Sequence, residues 1–235
     1  MNKWLFTICA LVVSVAIVVS CKQLYTTSIG SGLARESIAI SDNASISDIL
    51  LLATSSTGTD NEGAKAILDA LGKKSQGDIS NLSVGDQTTI LNLATTATVD
   101  MASLTTLASD ATKPGANTDG LISKAFGTFD SSANLTAIET ILGNNETVKT
   151  APVESIALAS AVVLADVASD IGADKLMTIM AEDKPDLTAF TPEQQSKINL
   201  ISGVVDTLDS RPAADTANVT IGDFKLTDLL KGNKK

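Results

Sequence analysis

The chain has 235 residues, a net charge of −10, no histidine, and aromatic side chains at only 3% of its positions. Without imidazole, histidine triads, histidine-bound metals and imidazole general bases are excluded. The acidic balance disfavours nucleic acid and anionic membrane faces, and the shortage of aromatic platforms counts against sugar or base stacking and leaves the core to Leu, Ile, Val and Ala.

The first element is an apolar run from Trp4 to Val19, preceded by Lys3 and closed by Ser20-Cys21-Lys22. A positive start, a short apolar centre and small residues at the exit form the pattern of a secretory signal. The run is shorter than the about 20 residues a bilayer span needs. Its end, Val18-Val19-Ser20-Cys21, resembles the lipobox of bacterial lipoproteins: an aliphatic residue, a permissive one, a small one, then Cys. The resemblance covers about the first two dozen residues, and no family is recognised beyond them. It implies cleavage between Ser20 and Cys21, a diacylglycerol on the Cys21 thiol, and acylation (palmitate) of the new amine. Each buried methylene contributes ~0.8 kcal/mol, and two or three chains make a stable anchor where one holds weakly. It also implies residence in the bacterial cell envelope. Lys22 rather than Asp after the cysteine then points to the outer membrane or cell surface. An ordinary cleaved signal and an uncleaved anchor are the alternatives.

Residues 1–20 therefore read as a signal peptide and 21–43 as a lipidated cysteine on a flexible Ser/Thr/Gly-rich tether, with a short helix over Leu33–Ile40. The mature chain keeps about 215 residues, enough to bury a core without disulfides. Cys9 leaves with the signal and Cys21 is taken up by the anchor, so no thiol nucleophile or thiolate metal site is expected.

The body, 44–231, reads as all-α, a helical bundle or stacked α-hairpins. Ile46, Ile49, Leu50 and Ala53 recur at helical spacing after Ser45, and Ser55–Thr59 breaks the pattern. A second helix covers Asp60–Lys74, with Ala64, Ile67, Leu68 and Leu71 inward and Lys73 and Lys74 suited to its C-terminal dipole. Ser83 is an N-cap with Asp86 three residues on. The steps Ile90, Leu93, Ala97, Met101, Leu104 and Ala108 predict a long helix to about Ser109. Lys113-Pro114-Gly115 ends it and divides the body into candidate halves 44–113 and 114–231.

In the second half a short helix is expected over Leu121–Phe129, with Phe126 and Phe129 as a core wedge, then another over Ser132–Leu142. Gly143-Asn144 suits its end because both tolerate left-handed geometry. Pro152 opens Val153–Ile171, apolar between Ile156 and Val167 except at Ser160 and Asp166, which marks it as the central helix or, alternatively, the wall of a lipid cavity. After Gly172, Ala173–Glu182 turns Leu176, Ile179 and Met180 inward. Thr191-Pro192-Glu193-Gln194 is a capping box with Pro at N1, and Ile198, Ile201, Val205 and Leu208 form the buried stripe up to Arg211-Pro212. Around Gly222-Asp223 a hairpin competes with a last helix, Asp223–Lys231, and the helix is preferred. Lys231, Lys234 and Lys235 leave residues 232–235 as a basic, solvated tail.

Asp78–Leu93 and Asp186–Ile201 match at an offset of 108: Asp78, Gln87 and Ile90 recur as Asp186, Gln195 and Ile198, with hydroxyl caps Ser83 and Thr191 aligned. Duplication of an α-hairpin and a shared capping grammar both explain this.

No catalytic or metal-ligating set emerges. Glu182, Asp183 and Asp186, and the pair Asp206 and Asp209, lack the alternating loop that calcium hands use and read as solvated acidic turns. Neither a spaced Ser-x-x-Lys nor a phosphate loop occurs beside a pocket signature. No cofactor is expected. The function these features imply is a non-enzymatic binding or scaffold module, held to the membrane by its lipid and engaging another envelope protein, with no role for nucleic acid. A carrier of a lipid or other apolar ligand between helices is the alternative. A hydrolase using carboxylates, Ser or Lys, with Asp206 as the residue to test, is a third.

Overall fold

A computed structural model of the chain describes residues 39–100, 103, 106, 124, 126–130, 132–180, 186–212, 220–221 and 224–225. Among them it is an all-α protein. Nine α-helices are seen: α1 Ile46–Ala53, α2 Asn61–Gly72, α3 Gln76–Ser80, α4 Val84–Thr98, α5 Thr136–Leu142, α6 Asn145–Thr150, α7 Val153–Ile171, α8 Ala173–Met180 and α9 Pro192–Asp209. A single 3-10 turn, Ser56–Thr59, follows α1.

Hydroxyl and acidic caps set the helix starts. Ser45, Ser75 and Ser83 accept from the backbone N–H three residues on, and each donates its hydroxyl to the aspartate there, at 2.7 Å in all three cases. Asp60 caps α2 through Gly63. Thr191 and Gln194 form the full reciprocal box, with Pro192 at the first turn. Each such cap contributes about 1 kcal/mol by satisfying a donor the helix cannot.

The layers follow from the apolar stripes. α4 lies between α2 and α7, and α7 lies between α4 and α9, with α5 and α8 closing the sides. α7 is the central helix: twelve of its residues are buried, from Val153 to Ala168. Ile156, Ala159, Ser160 and Val163 have zero exposure, so no water-sized void touches them. Along these residues α7 is packed core.

Several sequence expectations are corrected. The long helix does not run to Ser109. It stops at Thr98, and Val99 turns extended to bridge Phe129 antiparallel. Asp130 N–H donates to Thr98 O at 2.7 Å, and Asp100 N–H donates to Thr128 O at 3.1 Å. These partners lie some thirty residues on, so helical spacing could not reveal them. Met101, Leu104 and Ala108 lie outside the described residues. Phe126 is helical but Phe129 is not. The two rings sit 6.4 Å apart at the rim of the core.

α5 starts at Thr136 rather than Ser132, because the Asn134 side chain accepts from Thr136 N–H and the Asp130 side chain holds Ser132 N–H. Neither Gly143 (φ −73°) nor Asn144 (φ −88°) is left-handed; Asn144 instead caps α6. Near the C-terminus Thr220–Ile221 pairs antiparallel with Phe224–Lys225, so the hairpin, not a helix from Asp223, describes this stretch. Residues 226–235, including the basic tail, lie outside the described set.

The offset of 108 reappears as a matched hydrogen-bond circuit. Leu82 N–H donates to Ile79 O, and Phe190 N–H to Leu187 O. Gln87 Nε2 donates to Leu82 O, and Gln195 Nε2 to Phe190 O. Ser83 and Thr191 each accept from the third helical N–H at 3.2 Å. The buried positions Leu68, Leu71, Ile90 and Leu93 correspond to Leu176, Ile179, Ile198 and Ile201. The linkers differ: α3 is a helical turn, whereas 186–190 is an aspartate-capped bend.

Candidate functional site

Ser20 and Cys21, the expected cleavage and lipidation residues, lie outside the described residues. What the structure places is the corner where the chain joins the body. Lys73, the C-cap of α2, sets its ammonium 2.6 Å from Asp42 Oδ1. Lys74 Nζ donates to the carbonyls of Asp42 and Ala44 at 3.0 and 2.7 Å. The two lysines thus hold the incoming segment as well as complementing a helix dipole. Ile40 and Ala44 pack on the core. Within the segment read as tether, Ile40 thus packs on the core, while Ser41, Asp42 and Asn43 are exposed.

The strongest constellation of ionisable groups surrounds Lys197 on α9. Its ammonium lies 2.7 Å from Asp166 on α7, 2.9 Å from Glu193 one turn earlier, and 3.5 Å from Glu139 on α5. Only 12% of the Lys197 side chain is exposed. Burial works against its charge, but the hydrogen bonds to Asp166 and Glu193 outweigh that and hold its pKa above the usual lysine range. Burial also pushes the Glu139 carboxyl up, only partly offset by Lys197. Gln194 extends the group by donating to Asp170 at 3.2 Å. A fully engaged, strongly protonated ammonium is neither nucleophile nor base, so this cluster fastens three helices together.

A second polar group is fully interior. Gln87, 1% exposed, donates through Nε2 to the carbonyls of Ile79, Ser80 and Leu82, and its Oε1 accepts the hydroxyl of Thr147 on α6. Every Gln87 polar atom is satisfied, which ties the α3–α4 turn to α6. Thr95 Oγ1 on α4 is buried without a hydrogen-bond partner. No metal-holding cluster of three or more Cys, Asp or Glu side chains occurs among the described residues.

Of the acidic residues singled out in the sequence, Asp186, Asp206 and Asp209 are described. Asp186 caps its own turn through Thr188, which draws its carboxyl below the usual range. Asp206 is exposed on α9, and Glu182 and Asp183 lie outside the described residues. Sequence reasoning missed the Lys197 cluster, although Asp166 in an otherwise apolar helix was a signal for it.

Among the described residues no helix is long and apolar enough to cross a membrane. Comparison with protein-family models, curated proteins and solved structures gave no match.

Proposed function

We propose that this chain is a lipid-anchored protein of the bacterial cell envelope that serves as a non-enzymatic binding or scaffold module. The observation that carries the reading is Val18-Val19-Ser20-Cys21 at the end of a positively started apolar run. Cys21 is the acylated residue, and the anchor sits in the outer membrane or at the cell surface. Supporting this, the described body spends its half-buried charges on helix-to-helix fastening, and the sequence offers no imidazole. The partner is another envelope protein that meets solvent-facing helix surfaces.

Cys21→Ser tests the anchor. With metabolic acyl labelling and membrane fractionation, the unmodified chain takes up label and sediments with membranes, and the variant does neither. Equal labelling of both chains ends the reading. Crosslinking in intact cells followed by pull-down through the anchored protein tests the partner. Recovery of a defined envelope protein supports the scaffold role, and an uncrosslinked chain contradicts it.

A further inference from the structure

Lys197 offers one ammonium to three carboxylates. Asp166 at 2.7 Å and Glu193 at 2.9 Å stand at the distance of charge-assisted hydrogen bonds, whereas Glu139 stands off at 3.5 Å. With all three carboxylates ionised, the cluster holds an excess of two negative charges. Water serves Glu193, which is 77% exposed, but reaches Asp166 and Glu139 far less, at 22% and 31%. The carboxylate with the weakest hold is also the only charged group on its helix: α5 is seven residues long, and Leu135 at its N-cap gives no side-chain bond. Beyond aliphatic packing, α5 thus meets α7 and α9 through a carboxylate that Lys197 attracts and that Asp166 and Glu193 repel. α2, α3, α4 and α6 also pack on α5, and no charged side chain of theirs pairs with Glu139 among the described residues.

We propose that Glu139 is a proton-operated latch: with a proton on its carboxyl, α5 is held firmly against α7 and α9, and without it α5 opens more readily. The latch is independent of the anchor at Cys21. A neutral Glu139 no longer repels Asp166 and Glu193, and it leaves the ammonium of Lys197 to the two carboxylates already bonded to it. Burial, the largest influence, and the two like charges favour the proton and outweigh Lys197, so the carboxyl sits above its ordinary value of 4.5. When α5 opens, Glu139 returns to water and to that ordinary value. The closed form therefore binds the proton more tightly than the open one. The hold is complete in acid and weakens as pH rises through the closed-state value.

The full chain, purified in non-ionic detergent with carbon-13 in its glutamate carboxyl groups, tests this. Glu139→Gln identifies the Glu139 signal, whose midpoint is expected above 4.5. Hydrogen exchange, corrected for its intrinsic pH dependence, is expected to slow about threefold or more in α5 between pH 7 and pH 5, with no matching change in α1. Glu139→Gln mimics the protonated side chain and should keep the slow rate at both pH values. Glu193→Gln removes a repelling charge and frees Lys197 for Glu139, so it should lower the Glu139 midpoint. A midpoint at or below 4.5 overturns the latch. So does α5 exchange that merely follows α1, or that keeps its pH response in Glu139→Gln. Should Glu139→Gln fail to fold, through-bond assignment of the wild-type signal supplies the midpoint, and wild-type exchange in α5 against α1 decides.

Discussion

Lys197 on α9 grips Asp166 on α7 at 2.7 Å, at the edge of a contact whose core is aliphatic. Glu139 and Glu193 share the same ammonium. Removing the cation strands three carboxylates where little water reaches Asp166 or Glu139. Lys197→Met is expected to destabilise the fold by roughly 2–3 kcal/mol, somewhat less than loss of a fully buried partner. That corresponds to a melting temperature lower by about 5–10 °C for a body of this size. Thermal unfolding followed by circular dichroism measures it; an unchanged midpoint would mean the cluster is ornamental.

Acid titration separates two kinds of carboxylate. Asp130 is held by Lys65, then by Ser132, and its pKa falls to about 2. A depressed carboxylate stabilises above its unfolded value near 3.8 and loses that contribution as pH falls toward about 2. Because Asp130 is 45% exposed, solvent screening limits its contribution to under about 1 kcal/mol. Asp130→Asn should be slightly less stable than wild type at pH 7 and equal to it near pH 2. Glu139 behaves oppositely. Burial raises its pKa, so the stability linked to it is complete below the unfolded value near 4.5 and is lost as pH rises through the folded value. Stability curves of Glu139→Gln and wild type should therefore converge at low pH and separate above it. Parallel curves would contradict this.

Two glycines should respond in opposite directions. Gly203 sits on the exposed face of α9 with nothing within 4 Å of an added Cβ. Gly203→Ala is expected to stabilise by about 0.5–1 kcal/mol, since the helix recovers backbone entropy without a clash. Gly172 links α7 to α8 at φ +86° and ψ 138°, where a side chain is strained although space is free. Gly172→Ala should cost about 1–2 kcal/mol. Chemical denaturation of the two variants checks both signs at once.

The matched glutamines offer a test of the offset of 108. Gln87 serves three carbonyls and a buried hydroxyl, whereas half-buried Gln195 serves Phe190 O. Replacing either by Leu strips the carbonyl that precedes a helix cap. Gln87→Leu is expected to cost about 2–3 kcal/mol and Gln195→Leu about 1 kcal/mol. Similar small losses would show that the shared circuit is geometry without energy.

Much of the architecture was legible because the residues that fix it are neighbours. Thr191-Pro192-Glu193-Gln194 carries its own cap, and Pro152 with the run to Ile171 marks both ends of α7. The short helices were not. α3 buries only Ile79, and α6 only Thr147 and Val148, too few positions to show a period. The end of α4 depends on Phe129 pairing with Val99, a tertiary contact that overrides a helical spacing continuing to Ala108. The Lys197 cluster is likewise long-range: Asp166 looked anomalous in its helix, but only folding brings α9 across it. The preference for a helix from Asp223 weighs too little the pair Gly222-Asp223, which as sequence favours a tight turn, and Thr220–Ile221 pairs with Phe224–Lys225.

The proposed anchoring of this aliphatic helical body depends on one sulfur atom, that of Cys21. Mass spectrometry of the N-terminal peptide from the membrane fraction is the most direct measurement. The account predicts a chain that begins at Cys21 with a diacylglyceryl thioether. A full-length chain with an unmodified Cys21, recovered from the cytosolic fraction, would contradict it.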